Sequence, residues 1–197
     1  MSWGLSKIML YEKKGARWMD KGSCCACGGS IKPGKNVLIE YLYLDLNSCY
    51  RCIGTEEELD KVVSILNPAL ELAGYILEYR KIEILNKELA EKHQFLSSPT
   101  IRVNGEDICQ SVAENNCGCC GEISGTDVDC RIFEYNGGTY EVAPKEMLAE
   151  AILKGVFAIT RDSGTCSDYR LPGNLKAFFE GKILKDHGNC SGGSGCC

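Results

Sequence analysis

Histidine is nearly missing. His93 and His187 are the only two in 197 residues. With acids scattered rather than grouped, this argues against a histidine-based hydrolase or a carboxylate metal centre. His93, on a short polar segment, reads as a surface residue. Phosphate-cradling motifs are missing too. Neither G-x-x-x-x-G-K-[ST] nor G-x-G-x-x-G occurs, so no nucleotide cofactor is expected. There is no excess of basic charge: the formal net charge is −5, which disfavours nucleic acid and anionic membranes as partners. No run of about 18 apolar residues exists, so no membrane span is expected. The opening residues lack a basic stretch followed by a long apolar core, so the expected location is cytoplasmic.

Cysteine is what the chain has in quantity, with 14 residues. Hydrophobic content of 44% and charged content of 25% are ordinary for a globular protein. A core can therefore form without staples. In a chain of this size with no export signal, metal or redox thiols are the expected use, ahead of structural disulfides.

The pattern predicts three regions. Residues 1–35 form a glycine-containing, cysteine-rich N-terminal extension. Residues 36–160 form an α/β domain with a cysteine-rich insertion at 109–125. Residues 161–197 form a flexible tail ending in a Gly/Ser linker and Cys196-Cys197. Within the domain, strand one is expected over 37–45. Helix one is expected from a capping box at Thr55–Glu58, with Leu59, Val62, Val63, Leu66, Leu70 and Ala73 on one face. Pro68 should kink or divide it, and Gly74 should end it. Strand two (75–85), a short helix (87–93) and strand three (100–103) follow, with a turn at Asn104-Gly105. A hairpin across Asn136-Gly137-Gly138 and a last helix from Pro144 complete the order.

Cys49-Tyr50-Arg51-Cys52 falls between strand one and helix one. A first sulfur at a helix N-terminus meets free backbone N–H groups and the positive end of the helix dipole, which favour thiolate. Cys49 is therefore expected as an exposed, anionic nucleophile or ligand. Cys52, one turn on, is expected to resolve a mixed disulfide or to chelate a soft ion.

This C-x-x-C at a strand–helix junction, with Ser98-Pro99-Thr100 before strand three, resembles the thioredoxin-like superfamily. The similarity spans about residues 36–155. The resemblance implies a mixed sheet with flanking helices, a cis peptide before Pro99, and Pro99 packed beside the active sulfurs. The Ser98–Gly105 stretch and Asp127-Val128-Asp129-Cys130-Arg131 are similar to an uncharacterised bacterial and archaeal thioredoxin-like family. Around Cys49, however, Tyr50 and Arg51 replace the tryptophan-glycine-proline setting of ordinary thioredoxins, so no redox potential carries over.

The other cysteines fall into groups. Cys117, Cys119, Cys120 and Cys130, with Cys109 nearby, suit a zinc or iron–sulfur site, or else a stapled loop. The simplest topology puts them at the opposite pole from Cys49, unless the insertion folds back toward Pro99. Cys24, Cys25 and Cys27 form a soft-metal trap or an oxidation-prone segment. Cys196 and Cys197, with Cys190, could hand cargo to Cys49 by tethering. A similar terminal pair passes mercury in mercuric reductases.

The expected function is thiol chemistry at Cys49 and Cys52: disulfide exchange, or capture and transfer of a soft ion such as mercury, organomercury or arsenic. A thiol reductant or a metal-donor protein is the expected partner. The alternative is a non-catalytic zinc or iron–sulfur protein. A third option, organomercurial cleavage, would use Asp45 as the acid.

Overall fold

The computed structural model describes residues 35–109, 112–157 and 169–188. Their elements run β1 (Lys35–Tyr43), α1 (Tyr50–Leu72), β2 (Tyr75–Glu83), α2 (Lys87–Lys92), β3 (Thr100–Val103), β4 (Glu106–Asp107), β5 (Ala113–Asn116), α3 (Gly118–Ser124), β6 (Asp129–Tyr135), β7 (Gly138–Tyr140), α4 (Lys145–Phe157) and α5 (Gly173–Gly188).

A four-stranded mixed sheet has the order β2-β1-β3-β4. β1 is parallel to β2, with Val37 opposite Leu77, and antiparallel to β3, with Tyr41 opposite Ile101. Asn104 (φ 54°) and Gly105 (φ 87°) turn β3 into β4, as their left-handed preferences require. The α/β mixed sheet with flanking helices is the architecture expected from the sequence. A second, three-stranded sheet has the order β5-β6-β7. Among the described residues, no helix is long and apolar enough to cross a membrane.

The two-residue period of β1 feeds two cores. Val37, Ile39 and Tyr41 enter one, with Leu59 and Val62 of α1, Ile101 and Val103 of β3, and Leu148 and Ile152 of α4. Leu42 and Leu44 enter the other, which contains Phe95, Val128, Leu175, Phe178, Phe179 and five cysteines. The site is thus part of a core.

Three expectations are corrected. Helix one starts at Tyr50, with Cys49 as N-cap, rather than at Thr55. Thr55 lies inside the helix, fully buried, and its hydroxyl accepts the Ala143 N–H at 3.3 Å, so tertiary contact takes the place of capping. Pro68 does not divide α1, which continues to Leu72. It sits on the exposed side, where water can satisfy the carbonyl freed by its missing N–H, while Leu70 remains buried. Within the expected tail, Gly173–Gly188 forms α5, which buries Leu175, Phe178 and Phe179. Residues 158–168 and 189–197 lie outside the described residues.

Candidate metal centre

Two C-x-x-C pairs each begin at a helix N-terminus. Cys49 caps α1 at φ −80°, ψ 102°, and Cys117 caps α3 at φ −117°, ψ 101°. Both are extended, and neither uses its side chain as a cap. Each carbonyl accepts the N–H four residues on: Ile53 at 3.0 Å and Gly121 at 2.9 Å. Cys52 and Cys120 are therefore one helical turn beyond Cys49 and Cys117.

The two pairs meet. The sulfurs of Cys49, Cys117 and Cys120 all lie within 4.8 Å of one another. Cys120 Sγ is 3.8 Å from Cys49 Sγ, and Cys130 Sγ is 3.3 Å from Cys120 Sγ. All five residues, including Cys52, have no solvent exposure. Cys49, Cys117 and Cys120 could together hold a metal ion.

The opposite-pole expectation is thereby overturned. The insertion folds back because its backbone finds partners on the α1 and Pro99 side. Arg131 N–H donates to the Ser98 carbonyl at 2.7 Å, which fixes β6 beside the Ser98–Pro99 peptide. That peptide is cis, as the resemblance implied. Cys130 pairs with Asn115 across the β5–β6 ladder, and Cys117 N–H donates to Val128 at 2.8 Å.

Arg51 secures this arrangement. Its guanidinium donates to Asn115 Oδ1 at 2.5 Å, to the Asn116 carbonyl at 2.9 Å and to the Cys130 carbonyl at 3.4 Å. It also pairs with Glu141, which accepts from Tyr50 as well. A side chain between the two cysteines of one pair thus holds the strands that carry the other sulfurs. Arg51 is only 2% exposed, and its charge faces a site that becomes anionic when thiols ionise. Arg131 is fully buried and forms a two-point pair with Asp107 at 3.0 and 2.8 Å, tying β6 to β4.

The expectation of an exposed Cys49 thiolate is also corrected. Cys49 is covered, although its neighbours Ser48 and Tyr50 are exposed. Hydrogen bonds from Cys117, Cys120, Cys130 and Cys52 nevertheless hold its thiol well below the ordinary range against the effect of burial. Those from Cys120 and Cys130 bring Cys117 down to about 7. Cys120 is pushed up by sharing hydrogen bonds with Cys117, Cys130 and Cys49 and by burial. Cys130 is pushed up chiefly by Cys117. Protons leave the two helix N-caps first.

Cys52 stands slightly apart. Its Sγ is 3.3 Å from Ser98 Oγ, which accepts the Leu44 N–H at 3.1 Å. Its carbonyl accepts the Tyr41 hydroxyl at 2.6 Å. The hydrogen bond with Cys49, then burial, keeps its thiol protonated. Pro99 is buried, and the residue before it, Ser98, carries the hydroxyl that meets the Cys52 sulfur.

Asp45 is no proton donor. Burial raises its pKa, but hydrogen bonds from Ser48, Cys49 and Asn47 outweigh this and hold the carboxyl below its usual range. It stays ionised and shapes the turn, accepting Ser48 N–H at 2.6 Å and Cys49 N–H at 3.1 Å. Organomercurial cleavage with Asp45 as acid loses its basis.

Of the other expected ligands, Cys119 is half-buried and outside the three-sulfur group, and Cys109 packs against the first core. Cys24, Cys25, Cys27, Cys190, Cys196 and Cys197 lie outside the described residues. Sequence reasoning missed Arg51 as a clamp and α5 as a wall. The spacing of Leu175, Phe178 and Phe179 (i, i+3, i+4) was the available signal for α5.

No curated protein and no solved structure matches the chain. Residues 37–152, well over half of it, match a family described as a domain of unknown function. The match takes in Cys49, Cys52, Cys117, Cys120 and Cys130 but ends before α5. The chain belongs to this family, DUF2703.

Proposed function

We propose that this protein binds one soft metal ion through the thiolates of Cys49, Cys117, Cys120 and Cys130, on a thioredoxin-like scaffold. The observation that carries the reading is that the sulfurs of Cys49, Cys117 and Cys120, from α1 and α3, lie buried within 4.8 Å of one another, with Cys130 of β6 3.3 Å from Cys120. Thiolates at about 2.3 Å from a single tetrahedral ion stand about 3.8 Å apart. Cys49 and Cys120 have that separation, and Cys130 and Cys120 would open by a few tenths of an ångström. A multi-iron cluster hangs its thiolates on different irons, so its sulfurs stand further apart than ligands sharing one ion. This favours a mononuclear site over an iron–sulfur cluster.

An all-sulfur donor set selects zinc as a resident ion, or mercury and arsenic as cargo, over magnesium or calcium. The scaffold reading is supported by the β1–C-x-x-C–α1 junction, the cis Pro99 before β3, and the order β2-β1-β3-β4. Burial of Cys49 favours metal binding over disulfide exchange with a bulky substrate.

The test is native mass spectrometry with elemental analysis of anaerobically purified protein. One zinc, mercury or arsenic atom per chain, lost on Cys49→Ser and Cys120→Ser, is expected. Iron with absorbance near 400 nm would replace this reading with a cluster. A metal-free chain that takes up none of these ions would end it.

A further inference from the structure

We propose that oxidation switches the metal site: a disulfide between Cys49 and Cys52 withdraws one ligand and releases the ion. The inference rests on the four-thiolate reading and adds its regulation.

Cys49 has sulfur partners on two sides. Toward the insertion, its Sγ is 3.8 Å from that of Cys120. Along its own helix, Cys52 follows one turn later, the turn being closed by the 3.0 Å bond from Ile53 N–H to the Cys49 carbonyl. Helix geometry then sets the two Cα atoms about 5 Å apart, inside the range a disulfide spans.

Cys52 and Cys130 both lie outside the three-sulfur group, but Cys130 Sγ meets Cys120 Sγ at 3.3 Å, whereas Cys52 Sγ meets Ser98 Oγ at 3.3 Å, and that hydroxyl oxygen also accepts the Leu44 N–H. A structural tetrahedral site takes four ligands and no fifth. Here a fifth thiol, fully buried, hydrogen-bonds to Cys49 and to Ser98 rather than to the sulfurs of the insertion. It is a resolving thiol. Cys49 cannot bind the ion as a thiolate and share a bond with Cys52 at the same time, so ion and disulfide exclude each other.

The oxidant is a low-molecular-weight disulfide, RSSR. Cys49 is buried but stands in the chain between exposed Ser48 and Tyr50, whereas Cys52 follows Arg51, which is buried, and its sulfur is held against Ser98. Cys49 thiolate attacks one sulfur of RSSR, forming Cys49–S–SR and releasing RS⁻. Cys52 sulfur then attacks the Cys49 sulfur. The Cys49–Cys52 bond forms, the second RS⁻ leaves, and the Cys52 proton goes to a released thiolate. Two electrons pass from the protein to RSSR, which leaves as RSH and RS⁻. Cys117, Cys120 and Cys130 remain, and the ion departs to solvent or to the released thiols.

The experiment exposes the zinc-loaded full chain to oxidised glutathione. Zinc release is followed with a chromogenic chelator, and the disulfide is located by peptide mapping. The expected result is release together with loss of two hydrogens and a mapped Cys49–Cys52 link. Cys52→Ser and Cys52→Ala should bind one zinc as wild type does but stop at a Cys49–glutathione mixed disulfide, whose zinc release added reduced glutathione reverses. A link mapped to Cys117–Cys120 or Cys120–Cys130 would overturn the proposal, as would zinc release in both variants with no glutathione adduct on Cys49. So would loss of zinc stoichiometry in both, which would make Cys52 a ligand. If a variant does not fold, mapping of the wild type decides. Reduced wild type that holds no zinc, mercury or arsenic breaks the four-thiolate reading instead.

Discussion

Cys49 Sγ lies 3.8 Å from Cys120 Sγ although 71 residues separate them in the chain. Each stands in the first turn of its own helix, and the two helix N-termini converge on one pocket. The dipoles and free N–H groups of both ends therefore act on the same set of sulfurs.

Ligand identity is tested by comparing cysteines inside and outside the pocket. Removing Cys49, Cys117, Cys120 or Cys130 as serine should weaken metal binding by at least about 100-fold, the size that even outer-shell changes reach. Cys109→Ser and Cys119→Ser should bind within about twofold of wild type, because neither belongs to the close group. Competition with a chelator of known strength measures this.

Arg51→Met should destabilise the fold by about 2–3 kcal/mol, since it leaves the Asn116 and Cys130 carbonyls without their charged donor. Arg51→Lys should recover only part, because an ammonium cannot reach several carbonyls in a planar fork. Urea midpoints report the loss. Metal affinity should fall in parallel, because Arg51 holds the strands that carry Cys117 and Cys130.

Metal uptake should release protons. Above pH 7, Cys49 and Cys117 are the thiols already ionised, while Cys120 and Cys130 keep theirs. The ion must displace those protons, so affinity rises with pH, by about two protons per ion above pH 7. Below about 7, Cys117 takes up its proton too, and the slope should approach three. Zinc titrations in buffers of different pH give the slope. A pH-independent affinity between 6 and 9 would contradict thiolate binding.

Helix α5 covers the pocket. A Cβ on Gly181 would stand 2.5 Å from the Ser124 carbonyl oxygen, so α3 and α5 approach through a glycine. Gly181→Val should force the helices apart at a cost of about 1–3 kcal/mol. Phe178→Ala should cost about 3–4 kcal/mol through the cavity it leaves. In both, the pocket thiols should react faster with an aromatic disulfide reagent in the apo protein. Unchanged thiol reactivity would show that α5 does not control access.

Much of the four-stranded sheet and its first helix was legible. The alternation in β1, the Asn104-Gly105 turn and the C-x-x-C at a strand–helix junction are local signals, each set by neighbouring residues. Helix α1 was misplaced at its start, because Thr55-Glu58 has the form of a capping box while Thr55 serves Ala143, 88 residues away. The second C-x-x-C was visible as Cys117–Cys120, but its position relative to Cys49 was not. Strand order fixes which end of β3 faces the first pair, and says nothing of a long insertion that can return.

By itself the sequence determined that cysteine is the chemistry-bearing residue this protein has in quantity. It supplies two cysteine pairs at helical spacing and almost no histidine, and periodicity and turn residues lay out the sheet that carries the first pair. Only the tertiary structure decided that Cys49, Cys117 and Cys120 meet in one buried group, with Cys130 against Cys120. The reason is physical: buried backbone groups must be paired, and those of the insertion find their partners in Arg51 and Ser98, residues remote in sequence that no local pattern identifies.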